Sequence, residues 1–391
     1  MIDDRQRALL PNGLQDLLPP DAAFEAQTIE RLMAHFAAEG YARVKPPLVE
    51  FEDSLLTGPG RLLAAQIFRV MDPVSQRMMG VRADMTPQLA RIAATRLAHA
   101  ARPLRLSYAG QVLRVRGGML RPERQFAQVG IELIGAPEPT ADAEVVRLAA
   151  EALTGIGVKG LTIDLNLPTM VDVVAEAFGL PTDQLGPLRE ALDRKDPTAV
   201  AELAGAAAPL YAGLLDAAGI AAEALARLDA LELPAEARRL VAMVADVVRV
   251  IDLADLDAQV TIDPIEHRGL DYQTGVSFSL FAAGVRGELG SGGRYVAGAD
   301  QNGGGEPATG FSLYMDSVLR AIDAPVRPRH LYLPFGCGPV AGRTFRADGW
   351  ITVQGLAPET DPVAEARAQG CSHILRGADA IPLDAIDIRG A

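Results

Sequence analysis

Two stretches within residues 105–135, RLSYAGQVLRVRGGMLRPERQFAQVGIELIG, predict a pair of strands joined by a basic loop that contains glycine. Successive side chains of a strand point to opposite faces of the sheet. If the first strand continues to the loop, Arg114 and Arg116 project from the same face. The hairpin is therefore expected to place two guanidinium groups beside one sheet surface.

The second strand carries polar residues at every other position. Gln128 and Glu132 share one face, and Gly130 lies between them on that face. A glycine inside a strand is typical of a place where a ligand or another backbone comes close. This pattern predicts a polar binding surface on the sheet. The alternative is an ordinary solvated hairpin face.

Further motifs lie before and after the hairpin. They are PPLVE at residues 46–50, RADMTPQLARI at 82–92, EHRGLDYQTGVSFSLF at 266–281, LGSGGRYVAGAD at 289–300 and ATGFSLYMDSVLRAI at 308–322. Together with the hairpin, and in this order over most of the chain, they resemble the histidyl-tRNA synthetases. That family belongs to the class II aminoacyl-tRNA synthetases.

The resemblance implies an α+β fold, in which an antiparallel class II sheet is flanked by helices. The synthetase-like core is expected at residues 1–325, with a helical insertion at about 169–256. Residues 326–391 are expected to form a small α/β domain. The resemblance also implies a homodimer formed through the PPLVE motif, around Pro47.

The resemblance further implies a pocket for histidine. Asp84, Thr86 and Gln128 match positions that hold the α-amino group, which suits an ammonium because all three offer oxygen acceptors. Glu132 and Tyr272 match positions that contact the imidazole, whose two nitrogens need a donor and an acceptor. The full candidate histidine-binding set is Asp84, Thr86, Arg114, Gln128, Glu132, Arg268 and Tyr272.

The nucleotide-binding motifs differ from those of the family, which uses Phe-Arg-x-Glu in motif 2 and Gly-x-Glu-Arg in motif 3. Arg114 keeps the motif 2 arginine, but Arg116 replaces the glutamate that accepts a hydrogen bond from the adenine amine. Arginine is always charged and has no acceptor. Ser317 replaces the motif 3 arginine, and Gln273 replaces a tyrosine. We therefore expect a degenerate ATP site and no adenylation activity.

Residues from about 327 onward form a separate block. RHLYLPFG, GWITVQGL and CSHILRGA predict three short strands, and DPVAEARAQ predicts a helix between the last two. The block resembles a shortened anticodon-binding domain. The alternative is an unrelated small domain.

The stretch between about residues 169 and 256 is rich in alanine and has a helical pattern. In PAEARRLVAMVADVVRVIDL, Leu and Val recur at three- and four-residue spacing, while the charged residues lie on other faces. This pattern predicts a helix that packs against the core. A regulatory surface is the alternative.

Composition limits the partners. The formal net charge is −13, and outside the motif loops no Lys/Arg-rich run is interleaved with aromatic residues, so tRNA binding is not expected. No signal peptide or membrane segment is expected either. Only two cysteines are present, and no Cys/His spacing suggests zinc. We expect a cytoplasmic protein without a metal or a cofactor.

A chain that keeps a histidine pocket, loses ATP chemistry and shortens the anticodon domain resembles the regulatory subunits of ATP phosphoribosyltransferase. The resemblance implies no catalytic activity of its own, and a homodimer within a hetero-octamer with the short-form catalytic subunit. It also implies activation of that subunit and feedback inhibition by histidine in the first step of histidine biosynthesis. The alternatives are a divergent histidyl-tRNA synthetase and a synthetase-like enzyme with a non-tRNA acceptor.

Overall fold

The computed structural model describes residues 9–118, 121–266, 272–298, 304–324, 328–338 and 340–387. The chain divides into two compact units, Met1–Asp323 and Ala324–Ala391. This division lies close to the boundary that the sequence predicts.

The described part of the first unit contains a large sheet and a small one. Its strands are β1 (Ala42–Arg43), β2 (Val49–Phe51), β3 (Phe68–Met71), β4 (Met78–Val81), β5 (Leu104–Leu113), β6 (Gln125–Ile134), β7 (Leu161–Asn166), β8 (Gly219–Ile220), β9 (Ala258–Asp263), β10 (Gln273–Ala282), β11 (Gly290–Ala297) and β12 (Glu306–Tyr314). The large sheet has the order β1-β5-β6-β12-β11-β10-β7-β9-β8, and the small one β2-β4-β3. In the large sheet, the pairs β5–β6, β6–β12, β12–β11, β11–β10 and β10–β7 are antiparallel. The pairs β1–β5 and β7–β9 are parallel.

Helices cover the large sheet and enclose its core. They are α1 (Asp21–Ala38), α2 (Glu52–Leu55), α3 (Thr86–Thr95), α4 (Pro139–Ile156), α5 (Met170–Ala177), α6 (Thr182–Asp193), α7 (Pro197–Ala204), α8 (Ala208–Ala217), α9 (Ala221–Asp229), α10 (Ala235–Val250) and α11 (Met315–Val318). The main core lies where α1, α4 and α10 pack on the sheet. A second, smaller apolar cluster lies where residues of α3 meet β5, β6, β11 and β12.

The strand β6 is buried on both faces and pairs with β5 along its whole length. Val129 and Ile131 point into the main core. Gln128, Gly130 and Glu132 face the other side of the sheet, and the two polar side chains are at most 1% exposed. The interpretation as a solvated hairpin face is therefore wrong.

The expectation that Arg114 and Arg116 project from one face of a strand is also wrong. The strand β5 ends at Leu113, and both arginines lie in the loop that follows. The amide of Arg114 still donates to the carbonyl of Arg124 at 2.7 Å, whereas the amide of Val115 donates to the carbonyl of Gln66 at 2.9 Å, outside the hairpin. The hydrophobic pattern of β5 does not predict this contact with Gln66, which is distant in the sequence.

Two glycines allow β6 and β12 to pack closely. A Cβ on Gly130 would lie 2.1 Å from the carbonyl oxygen of Phe311 and 2.5 Å from the hydroxyl of Tyr108. A Cβ on Gly310, which is the register partner of Glu132, would lie 2.3 Å from Oε2 of that glutamate. The space beside Gly130 is thus filled by a second backbone and a phenol, as its position in the strand predicts.

The helices α5 to α10 are inserted between β7 and β9, which are adjacent parallel strands of the large sheet. In α10, Leu240, Val241 and Val244 are buried in the main core, whereas Arg238 and Arg239 are exposed. The prediction of a core-facing helix is confirmed.

One segment of the insertion is long and apolar enough to cross a membrane by length and composition alone. It is Pro197–Ala217, which contains α7 and α8, and a third of it is buried. A short 3-10 turn at Gly205–Ala207 interrupts the segment, and both helices pack on neighbours within the insertion. Core helices of globular domains pass the same test, so this segment is weak evidence for a membrane span.

The second unit is a small α/β arrangement. Its strands are β13 (His330–Leu333), β14 (Ile351–Gln354), β15 (His373–Arg376) and β16 (Asp379–Pro382), and its helices are α12 (Arg343–Ala347), α13 (Pro362–Ala368) and α14 (Leu383–Asp387). The sheet order is β14-β13-β15-β16, and only the last pair is antiparallel. The three expected strands and the helix α13 are confirmed. The sequence reading missed α12, β16 and α14.

The close approach at Gly130 leads to a prediction about stability. Gly130→Ala should lower the free energy of unfolding by about 1–3 kcal/mol or more, because neither the Phe311 carbonyl nor the packed Tyr108 ring can easily move away. Gly155→Ala is the matched control, since this exposed glycine in α4 has open space around it. The control should gain roughly 0.5–1 kcal/mol from lower backbone entropy. Urea unfolding of both variants checks the prediction, and equal effects would contradict it.

Candidate functional site

A small polar cavity lies on the face of the sheet that carries Glu132. Its lining residues are Asp84, Thr86, Glu132, Tyr272, Gln273, Ser291, Gly292, Gly293, Tyr295, Gly310, Phe311, Ser312 and Tyr314. Its free volume of about 20 Å³ is enough for a water molecule but not for an amino acid. An amino acid therefore fits only if a wall moves. The partly exposed lining residues are Tyr272, Gln273 and Ser291.

Glu132 is the buried carboxyl group of this cavity. Its Oε2 accepts a hydrogen bond from the hydroxyl of Tyr295 at 2.9 Å. Burial raises the pKa of Glu132 to about 8, although hydrogen bonds from Tyr295 and Thr86 act in the opposite direction. The carboxyl group is therefore mostly protonated at neutral pH. It can donate or accept a hydrogen bond within a desolvated site.

Asp84 and Gln128 are held in place by a second set of hydrogen bonds. Oδ1 of Asp84 accepts from the amide of Thr86 at 2.8 Å and from Nε2 of Gln128 at 3.2 Å. Oε1 of Gln128 accepts from the amide of Met85 at 2.9 Å, and its Nε2 also donates to Ser312 Oγ at 2.6 Å. The turn before α3 is thereby fixed to β6 and β12. Its carboxylate is oriented as an acceptor for a cationic group.

A larger cavity of about 450 Å³ adjoins the small one, and Asp84, Ser291 and Tyr314 line both. Its other lining residues are Arg114, Arg116, Gly117, Gly118, Arg121, Glu123, Asp164, Glu266, Ser279, Phe281, Gly287, Glu288 and Ser317. The structure thus brings Arg116 and Ser317, which are far apart in the sequence, to one cavity. They are two of the residues at which the nucleotide motifs depart from the family pattern.

Among the other candidates, Arg114 lies at the border of the two cavities. Its Nη2 is 4.0 Å from Oδ2 of Asp84, and its Nε donates to the carbonyl of Ala83 at 3.3 Å. Tyr272 packs edge to face against Tyr295, with ring centroids 5.5 Å apart. Arg268 lies outside the described residues.

Sequence reasoning missed several residues of these cavities. Tyr295, which donates to Glu132, is the final residue of the GSGGRY motif, so the motif itself was a usable signal. Tyr314 stands at the first position of the aligned Gly-x-Glu-Arg motif, where the family has glycine. Arg121 belongs to the hairpin loop and gave no signal of its own.

The segment around Pro47 is tied to the turn that carries Asp84. Arg82, which is buried, donates through Nη1 to the carbonyl of Pro46 at 3.0 Å. Gln88 of α3 donates through Nε2 to the carbonyl of Pro47 at 2.8 Å and to Glu50 Oε1 at 2.7 Å. The PPLVE motif and one wall of the polar cavity are thus parts of one hydrogen-bonded unit.

Comparison with known proteins identifies the family. A family model described as histidyl-tRNA synthetase matches residues 13–318. An ATP phosphoribosyltransferase regulatory subunit of Rhodospirillum centenum is 56% identical over 370 residues, which cover 95% of each chain. The protein of the same name from Paramagnetospirillum magneticum is 56% identical over 388 residues, or 97% of this chain and 99% of the relative. The chain belongs to the family of ATP phosphoribosyltransferase regulatory subunits.

Solved structures agree with this family in fold. A protein of Bacillus halodurans, titled as an ATP phosphoribosyltransferase regulatory subunit/histidyl-tRNA synthetase, aligns with a TM-score of 0.81 at 24% identity, covering 94% of this chain and 97% of that one. The histidyl-tRNA synthetase of Nostoc sp. PCC 7120 aligns with a TM-score of 0.78 at 18% identity, covering 94% and 91%. The predicted class II synthetase-like α+β fold is confirmed.

The raised pKa of Glu132 predicts how stability depends on pH. An ordinary glutamate titrates near pH 4.5, so between about pH 4.5 and about pH 8 the folded state holds a proton that the unfolded state has lost. The stability of the folded state therefore falls as pH rises through this window, by about 1 kcal/mol per pH unit from this group. Glu132→Gln should remove this contribution. Urea unfolding at several pH values between 5 and 8 measures the slope.

The matched control is Glu144→Gln. The pKa of Glu144 is lowered, chiefly by its hydrogen bonds with Arg105. Its contribution is therefore present above its unfolded pKa and is lost as the pH falls below it. Glu144→Gln should change the acid limb and leave the slope between pH 5 and pH 8 as in the parent. An unchanged slope in Glu132→Gln would contradict the assignment of a protonated carboxyl group.

Proposed function

We propose that this chain is the non-catalytic regulatory subunit that activates a short-form ATP phosphoribosyltransferase and helps convey histidine inhibition in the first step of histidine biosynthesis. The observation that carries the proposal is the pairing of an intact polar cavity with an altered nucleotide cavity. Asp84, Gln128 and Glu132 remain buried and hydrogen-bonded on one side. Arg116 and Ser317 line the other side.

Histidine is the proposed ligand of the polar cavity. The carboxylate of Asp84, at the border of the two cavities, is an acceptor for an α-ammonium group. Glu132 can serve either nitrogen of an imidazole, because its raised pKa allows it to donate or to accept. Tyr272, which lines the same cavity, is proposed to contact the ring together with Glu132. Thr86 and Gln128 are proposed to join Asp84 at the α-ammonium group. Arg114 and Arg268 are proposed to face the carboxylate end of the ligand.

Absence of adenylation is the second part of the proposal. A transferring phosphoryl group needs positioned cations, and an adenine amine needs an acceptor. Ser317 offers no charge, and Arg116 offers a donor in place of an acceptor. The names of the family members support a regulatory role rather than catalysis.

The proposed assembly is a homodimer within a hetero-octamer in the cytoplasm. Pro47 and Leu48 are exposed, and Leu48 is 47% accessible, so this segment is available for contact between two copies. The hydrogen bonds from Arg82 and Gln88 connect the same segment to the polar cavity. The second unit is proposed to be a shortened anticodon-binding domain that no longer serves tRNA.

Inhibition requires that histidine binds the inhibited assembly more tightly than the active one. Histidine cannot shift the equilibrium between the two assemblies by more than this difference in binding free energy, which is about 1–3 kcal/mol for typical allosteric coupling. Histidine at saturation can therefore shift the equilibrium between the active and the inhibited assembly by at most roughly 5- to 150-fold.

A divergent histidyl-tRNA synthetase is the second candidate. The match of residues 13–318 to the synthetase family model favours it. It predicts tRNA charging and formation of histidyl-adenylate, which the first candidate excludes.

The regulatory proposal predicts a rate effect. Mixing the chain with its cognate short-form catalytic subunit should raise the steady-state rate, and the two should co-elute in size-exclusion light scattering. Histidine should reverse the gain. Glu132→Ala should weaken histidine sensitivity more than Gln273→Ala, because a ring nitrogen left unpaired in a buried site costs about 1–3 kcal/mol. Lack of co-elution together with an unchanged rate at micromolar concentration would refute the proposal.

The absence of adenylation predicts that the chain catalyses no histidine-dependent exchange of pyrophosphate into ATP. The heat-treated protein gives the background, and Arg268→Ala tests whether any signal belongs to this site. Exchange above background that is lost in Arg268→Ala would favour the divergent synthetase.

A further inference from the structure

Tyr314 closes the boundary between the two cavities. It ends β12, it lines both cavities, and it is 6% exposed. Its hydroxyl is 3.0 Å from Ser291 Oγ, and the edge of its ring meets Phe126 with centroids 5.7 Å apart. A glycine at this position would leave the volume of the ring empty. The ring is thus fixed from two sides in a space that a smaller residue would leave open.

Arg121 covers the face of this ring. Its guanidinium carbon lies 3.8 Å from the Tyr314 ring centroid and 5.4 Å from that of Phe126. Its Nε is 3.3 Å from Oδ2 of Asp316, and its Nη2 donates to the carbonyl of Glu288 at 3.3 Å. The side chains of Arg121 and Asp316 are only 12% and 9% exposed. This arginine is therefore anchored over the ring by buried charge pairing.

Adenine-containing ligands generally gain affinity by placing the base against an aromatic or guanidinium face. The aromatic residues that line the larger cavity are Tyr314 and Phe281, and Tyr314 packs against the buried ring of Phe126. Arg114 lies over Phe126, at 5.1 Å from its ring centroid, so the rings of Tyr314 and Phe126 both have cationic partners from the chain itself. A base could stack on the face of Tyr314 that Arg121 covers only by displacing Arg121.

We infer that Tyr314 and Arg121 form an internal barrier that occupies the base-stacking surface and separates the polar cavity from the larger one. Adenine nucleotides are thereby excluded, and a ligand of the polar cavity cannot meet a nucleotide phosphate. The inference extends the proposed function, because it assigns the loss of nucleotide binding to two specific side chains. It makes these residues determinants of ligand specificity.

The test uses the full-length chain, with adenosine and ATP as probes in titration calorimetry. Adenosine is uncharged, so it reports on stacking without the effect of arginine on phosphate. The parent should show no saturable binding of either probe at millimolar concentration. The double variant Tyr314→Ala/Arg121→Ala should bind adenosine at least about tenfold more tightly, since one base–aromatic or base–cation stack is worth about 1–3 kcal/mol.

The matched control is Tyr314→Phe/Arg121→Lys, which keeps a ring and a cation and should behave like the parent. Circular dichroism and histidine titration establish that each variant is folded. If the double variant does not fold, Arg121→Ala alone carries the test, because it uncovers the face of the Tyr314 ring and leaves that ring in place. A folded double variant that binds adenosine no more tightly than the parent would overturn the inference. Tight adenosine or ATP binding by the parent would do the same.

The two proposals fail in different ways. If the parent does not activate the catalytic subunit, the regulatory function is refuted, whereas the adenosine titrations still measure the barrier. If activation and histidine inhibition are present but the barrier variants gain no affinity, only the barrier is refuted.

Discussion

The fit of the Glu132 carboxyl group into the space beside Gly310 is the constraint on which the rest of the site depends. The two residues are register partners on adjacent strands, and a Cβ on Gly310 would lie 2.3 Å from Oε2. Because Gly310 has no side chain there, the carboxyl group lies close against the backbone of β12, in a buried site. Its desolvation raises its pKa, and Tyr295 and Thr86 satisfy it. A polar, protonatable group can thus be held at a fixed point of an otherwise apolar fold.

The site around Glu132 is connected to an exposed segment of the chain by hydrogen bonds as well as by apolar packing. Gln128, on the same face of β6, binds both Asp84 and the amide of Met85. The same turn is followed by Gln88, which reaches the carbonyl of Pro47. Such bonds have narrow geometry, so a displacement of the turn requires the Pro47 segment to adjust as well. Hydrogen bonds therefore connect the cavity to an exposed segment of the chain.

The sequence predicted the parts of this arrangement that local pattern controls. Alternation along β6 placed Gln128 and Glu132 on one face, and the position of Gly130 indicated a close neighbour. It did not predict where β5 ends, because beyond the strand the amide of Val115 pairs with the carbonyl of Gln66, which is far away in the sequence. For the same reason it missed Arg121, whose partner Asp316 lies on another strand–helix junction. Local sequence patterns predict side-chain periodicity and turns, whereas contacts between residues far apart in the sequence depend on tertiary packing.

If the larger cavity has lost nucleotide chemistry, as we propose, two physically distinct changes contribute. Arg116 and Ser317 alter the charges and acceptors that a nucleotide would meet but leave the cavity volume accessible. Tyr314 and Arg121 stack on each other, with the guanidinium carbon 3.8 Å from the ring centroid, and the proposed barrier would remove a surface on which a base could stack. On this proposal, reversing the changes at Arg116 and Ser317 alone would restore little nucleotide binding, because the stacking surface would still be covered.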